Sequence, residues 1–207
     1  MKKRFAILLC CGFLAFSIQA QNFGGGLLLG LSTSQVGGDD IGGFNKAGLL
    51  VGIFANKAIS TLFSFQMEMT YTQKGSNNPN MNDAEDINKY LKEDISSYYF
   101  EVPLLLQYHQ SEILKIEGGL LSAYLIEGHY NDLNGKIPYT DNPFIKYDFG
   151  LLIGIDYSFS KKLSLNTRLS NSTLPVGAED YDGVNAYNSS RKGKYNSVLS
   201  FAIHYNF

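Results

Sequence analysis

The chain has 207 residues, enough for one ordinary domain. Lysine and arginine number 17 against 19 acids, and a formal charge of -2 argues against a nucleic-acid binder, which normally carries a basic patch. Charged residues are only 17%, aromatics reach 14% as 14 Tyr and 14 Phe, and no long apolar run follows residue 20, which together exclude a disordered chain, a coiled coil and a helical membrane protein.

Residues 1–20 read as a secretory signal peptide. Lys2, Lys3 and Arg4 form a positive start, an apolar stretch runs from Phe5 to Ile18, and Ala20 supplies the small residue before the cut. Cys10 and Cys11 lie too early in the apolar stretch for lipidation at a cleavage point. Cleavage after Ala20 removes both cysteines and three basic residues, leaving a formal charge of -5 and no disulfide.

The remainder alternates with period two, the pattern of strands with one apolar face. Segment 23–32 sets Leu27, Leu29 and Leu31 against Gly26, Gly30 and Ser32. Segment 47–56 sets Leu49, Val51 and Ile53 against Gly48, Gly52 and Asn56, and 61–72 sets Phe63, Phe65, Met67, Met69 and Tyr71 against Ser64, Gln66, Glu68, Thr70 and Thr72. Segment 98–109 places Tyr98, Phe100, Val102, Leu104, Leu106 and Tyr108 on one face, with Glu101, Pro103, Gln107 and His109 on the other. Segment 114–127 opposes Ile116, Leu120, Tyr124 and Ile126 to Lys115, Glu117, Ala123 and Glu127. Three cleaner segments follow, at 147–158, 163–170 and 195–207.

Eight segments of roughly ten residues are long for a soluble strand, usually about 5–6, and right for a tilted strand crossing a bilayer, about 9–11. Long connections at 33–44, 73–94, 128–144 and 171–194 alternate with short ones at 57–60, 110–113 and 159–162. An even strand number with this alternation predicts an all-β fold: an eight-stranded antiparallel up-and-down transmembrane β-barrel, with short periplasmic turns and long extracellular loops. Closure removes the unpaired strand edges that lipid does not tolerate. A soluble barrel would turn its apolar face inward. Here the cleaner apolar face is rimmed by Tyr, and the other face mixes Gly, Ser and Glu with Leu50, Phe54, Leu105, Leu121, Leu125 and Leu152, so the membrane reading is preferred. Pro103 lacks an N–H, and a bulge or local kink is expected there.

The run Tyr98-Tyr99-Phe100-Glu101-Val102-Pro103-Leu104-Leu105-Leu106-Gln107-Tyr108 resembles a strand of the PorT-like outer-membrane β-barrel proteins of Bacteroidetes. The likeness extends through Gly118-Gly119, the 147–170 hairpin and the aromatic end at Tyr205-Asn206-Phe207. It implies an outer-membrane barrel whose terminal Phe looks like the signal read by barrel-assembly machinery during biogenesis. One member of the family is needed for type IX protein secretion, so an envelope or secretion protein is an expected partner beside outer-membrane lipid. The resemblance implies no reaction and no cofactor.

The inward face is expected to hold a charge network of Glu68, Glu101, Glu117, Asp148, Asp156 and Arg168, with Lys115 and Glu127 beside it. An eight-stranded lumen is just wide enough for side chains to fill, and charges there must pair or meet water. Arg168 is expected to bridge Glu68 and Glu101 as a polar plug, with Gly150 and Gly154 leaving room for its guanidinium. His109 and His204 face inward near the periplasmic end, where a metal with Glu117 or Asp156 is the minor alternative. No G-x-S-x-G or H-E-x-x-H motif occurs, so no enzyme is expected. In the loops, 82–94 reads as a short helix capped by Asn82, and Asp39-Asp40 and Glu179-Asp180-Tyr181-Asp182 read as solvated acidic loops. Two functions remain open: a structural or interaction scaffold in the envelope, or a narrow pore for small solutes.

Overall fold

A strand that is apolar on one face and polar on the other can bury its backbone groups fully only if both of its edges find neighbours. The chain solves this by closing on itself. The computed structural model describes residues 23–38, 42–77, 94–132, 135–136, 144–177 and 193–207. The strands are β1 (Phe23–Gly37), β2 (Lys46–Ala58), β3 (Phe63–Ser76), β4 (Asp94–His109), β5 (Leu114–Asp132), β6 (Gly135–Lys136), β7 (Tyr147–Ser158), β8 (Leu163–Ser172) and β9 (Tyr195–Asn206). Their order is β4-β3-β2-β1-β9-β8-β7-β5, with β4 also pairing β5, so eight antiparallel strands form a closed barrel. The two-residue β6 only turns the end of β5 back on itself. No helix among the described residues is long and apolar enough to cross a membrane.

Several strands outrun their expected limits at the extracellular end. β1 continues to Gly37, β3 to Ser76 and β8 to Ser172, while β4 begins at Asp94. The apolar residues stop there but the ladders do not: Gln73 still pairs Tyr98, and Gln35 still pairs Ser197. Of the expected helix, only Asp94 is described, and it opens β4 instead. The rest of that segment, the leader 1–20 and both acidic loops lie outside the described residues.

Outward side chains form one apolar belt bounded by aromatic rims. Tyr98 and Tyr108 on β4, Tyr147 and Tyr157 on β7, and Tyr195 and Tyr205 on β9 are each ten residues apart. Ten residues rise about 34 Å along a strand, or about 26 Å along the membrane normal at a tilt of about 40°. That matches the apolar band of about 25 Å on outer-membrane barrels. Between the rims, Leu29, Ile53, Leu120, Leu151 and Ile153 are each more than half exposed, a cost in water and a gain in lipid.

The three short turns share one chemistry. Ser60, Ser111 and Ser160 each accept at Oγ the N–H of the residue three places on, at 3.0, 3.1 and 3.1 Å. In each, the serine N–H returns to the carbonyl of that same later residue, Phe63, Leu114 or Leu163. A Ser-x-x-apolar tetrapeptide therefore reverses the chain three times.

Pro103 acts differently from the expected bulge. Along β3–β4 the ladder pairs Met67 with Leu104 and Thr70 with Glu101, and skips the two positions between. On its other edge β4 stays in register, with Pro103 opposite Leu121. The missing N–H thus opens the β3 seam alone. The bulge sits higher, where Tyr98 pairs Glu127 and Tyr99 pairs Leu125, leaving Ile126 as the extra residue.

Candidate functional site: the barrel interior

Inward positions come from alternate residues of every strand, polar and apolar, so the lumen is built in layers from strands far apart in sequence. At the periplasmic end, Ser64 Oγ lies 2.7 Å from His109 Nε2. Nearby, Asp156 accepts from Ser164 at 2.9 Å, lies 3.3 Å from His204 Nδ1 and faces Lys115 Nζ at 3.9 Å. His204 also packs against the Phe54 ring, with centroids 5.2 Å apart.

The next layer centres on Arg168. Its Nη1 and Nη2 donate to the two carboxylate oxygens of Glu68 at 2.9 and 3.0 Å, a bidentate fork. Its Nε donates to Glu117 Oε1 at 2.8 Å, and Nη2 lies 2.7 Å from the same oxygen. Amides hold both acids: Gln66 donates to Glu68 at 2.7 Å, and Asn166 and Gln107 donate to Glu117 at 2.8 and 3.0 Å. All six side chains are buried.

Above Arg168 is a cavity of about 30 Å³, lined in part by Thr70, Lys74, Glu101, Pro103, Leu152 and Arg168. That is room for about two water molecules. A second ionic layer follows. Lys74 pairs with Glu101 and lies 3.7 Å from Asp148, while Thr72 donates to Glu101 at 2.8 Å and Asn196 to Asp148 at 3.1 Å. The Lys74 ammonium sits 4.9 Å from the centre of the Tyr99 ring. An apolar lid of Val36, Ile95, Tyr99, Ala123, Leu125, Tyr130 and Phe144 closes the extracellular end. Through this lid Lys194 donates to the Tyr130 hydroxyl at 2.7 Å.

All six residues expected in the charge network are buried inside the barrel. They form three separate groups, not one. Arg168 takes Glu68 as expected but not Glu101; its second acid is Glu117. Glu101 stands one layer higher and belongs to Lys74. That lysine falls in the connection expected at 73–94, yet it continues the inward phase of β3 through Thr70, Thr72 and Lys74. A Cβ at Gly154 would lie 2.7 Å from the Thr167 carbonyl oxygen and 3.0 Å from Glu117 Oε1, so the glycine leaves room for the neighbouring strand and for the acid that Arg168 holds.

Glu127, expected inside, points outward. Leu125 keeps the expected inward phase, but the extra residue Ile126 shifts the phase beyond it by one, so Tyr130 turns in and Glu127 turns out. At the extracellular rim, Lys136 hydrogen-bonds Glu127. His109 and His204 contact different partners, and among the described residues no three His, Cys, Asp or Glu side chains converge as metal ligands.

A closed antiparallel barrel with a lipid-matched exterior and a filled, charge-paired interior defines the class of small transmembrane β-barrels. The family model for the outer membrane protein beta-barrel domain matches residues 19–172, and the chain belongs to that family. It is an outer-membrane β-barrel protein. No curated protein matches it by sequence. Its fold is similar to that of Ail, the attachment invasion locus protein of Yersinia pestis, at 11% identity and a TM-score of 0.52, covering 90% of this chain and 100% of that one. Neisserial surface protein A is similar at 13% identity and a TM-score of 0.51, with 89% and 97% covered.

Proposed function

We propose that this protein is a closed, non-conducting barrel that serves the outer membrane as a scaffold for interaction. The observation that carries this reading is the lumen: two paired ionic layers separated by a cavity of only about 30 Å³, under an apolar lid. A solute path would need the Arg168 fork or the Lys74 pair to break. Work is then left to surfaces and loops, not to a channel or a reaction. The resemblance of 98–108 to the PorT-like barrels of Bacteroidetes makes an envelope or secretion protein the favoured partner. The leader 1–20 is removed after Ala20 on export, and barrel-assembly machinery inserts the mature chain.

Planar-bilayer recording tests the first half. Wild type should give no steady single-channel steps, and a large ion-selective conductance would move the protein to the pore class. Crosslinking in intact cells, followed by purification from detergent-solubilised outer membrane, tests the second. A stoichiometric envelope protein is expected, and recovery of the barrel alone would overturn the scaffold reading.

A further inference from the structure

The periplasmic rim of the barrel is lopsided in charge. Short turns mark the periplasmic side. Lys57 at the end of β2 sits over the Phe23 ring at 5.1 Å, and Lys162 in the β7–β8 turn sits over Tyr205 at 5.7 Å. Between them, Phe207 stands edge-on to Tyr205 at 6.2 Å and its N–H bonds the Gly25 carbonyl. Phe23 pairs directly with Lys57, and Tyr205 pairs with Leu163, next to Lys162. The result is one continuous arc across β2, β1, β9 and β8: lysine, three aromatic rings, lysine, with Lys161 exposed beside the last.

Inside the lumen, Lys74, Lys115 and Arg168 each face a carboxylate. On this arc, among the described residues, neither Lys57 nor Lys162 has one; each ammonium is held only by a ring face. The short turns contain a single acid, Glu112, in the β4–β5 turn. In the closed strand order that turn lies diametrically opposite the β1–β9 seam at the arc's centre. Among the described residues, the arc thus pairs lysines that have no carboxylate within 4 Å with rings, at the level where lipid headgroups meet hydrocarbon.

We propose that this arc binds anionic phospholipid of the periplasmic leaflet: a phosphodiester headgroup carrying no ammonium of its own. A phosphate sits at each ring-held lysine, and the acyl chains lie along the apolar belt beside it. A zwitterionic lipid brings its own cation and gains less. One lysine near an anionic surface changes partition by about five-fold. The arc takes up about half of the barrel's circumference, so averaged over the whole lipid belt we expect about two- to three-fold selectivity.

The test reconstitutes the full barrel in phosphatidylcholine vesicles with chain-labelled phosphatidylglycerol or phosphatidylcholine. Electron paramagnetic resonance then separates barrel-immobilised from bulk lipid. Wild type should select phosphatidylglycerol about two- to three-fold, with selectivity fading as salt rises. Lys57→Gln with Lys162→Gln should abolish it, and the Lys57→Arg, Lys162→Arg pair should retain it. Lys146→Gln, an exposed lysine at the opposite rim, should change nothing. A gel shift on boiling shows that each variant is folded. Wild-type selectivity of one, selectivity indifferent to salt, or loss through Lys146→Gln instead of the arc variants would each overturn the proposal.

Discussion

Removing Arg168 separates a filled lumen held by ion pairs from one held merely by shape. Arg168→Leu deletes the bidentate fork to Glu68 and both contacts to Glu117, and leaves two buried carboxylates without their cation. Breaking a buried pair by removing one partner costs about 3–5 kcal/mol. Each acid keeps an amide donor, Gln66 for Glu68 and Asn166 and Gln107 for Glu117, and the cavity above lets water approach. Both effects lower the cost, so we expect about 3 kcal/mol. The assay is urea unfolding of the vesicle-embedded barrel, followed by circular dichroism and by loss of the heat-sensitive gel shift. Glu117→Gln or Glu68→Gln added to Arg168→Leu should restore part of the loss. Glu101→Gln should not, because Glu101 answers to Lys74 one layer higher. An unchanged unfolding midpoint in Arg168→Leu, or rescue by Glu101→Gln as good as by Glu117→Gln, would refute this assignment.

Other perturbations probe other layers. Lys74→Met strands Glu101 and Asp148 and should cost about 3 kcal/mol, relieved in part by Glu101→Gln in the same unfolding assay. Ile153, 65% exposed at mid-belt, should cost about 2–4 kcal/mol as Ile153→Arg, against almost nothing for Glu112→Arg in its exposed turn; equal folding yields in vesicles would show the faces reversed. Ser160→Ala removes the hydroxyl that accepts from Lys162 and Leu163, and should cost about 1 kcal/mol. The Ser60 and Ser111 equivalents should each add a similar amount, since the three turns share no partner.

Much of this barrel is written in local pattern. A period of two is a property of the backbone, so each segment's apolar face and the short turns between were legible without any partner. The same pattern assigned Glu68, Glu101, Glu117, Asp148, Asp156 and Arg168 to one face. Phase, however, survives only as far as the ladder is regular. The bulge at Ile126 exists because β4 and β5 pair differently above and below it, and no residue in β5 alone announces it; hence the alternation points Glu127 inward although it faces out. Lys74 escapes the pattern for a related reason. The outward residues of β3 turn polar above Tyr71, which removes the contrast by which a strand is recognised, although hydrogen bonding continues.

The pairing of charges lay furthest from the sequence. Arg168 meets Glu68 from 100 residues away, on a strand across the lumen. Which acid stands at its height depends on the stagger of all eight strands around the closed barrel. Strand order and alternation leave that stagger undetermined. A shift of two residues in one ladder preserves every inward and outward assignment, yet moves a carboxylate about 7 Å along the strand. Within each regular stretch of ladder, the sequence alone therefore determined which side chains enter the lumen. Closure of the sheet decided which of them touch, because only the closed hydrogen-bond register sets their heights.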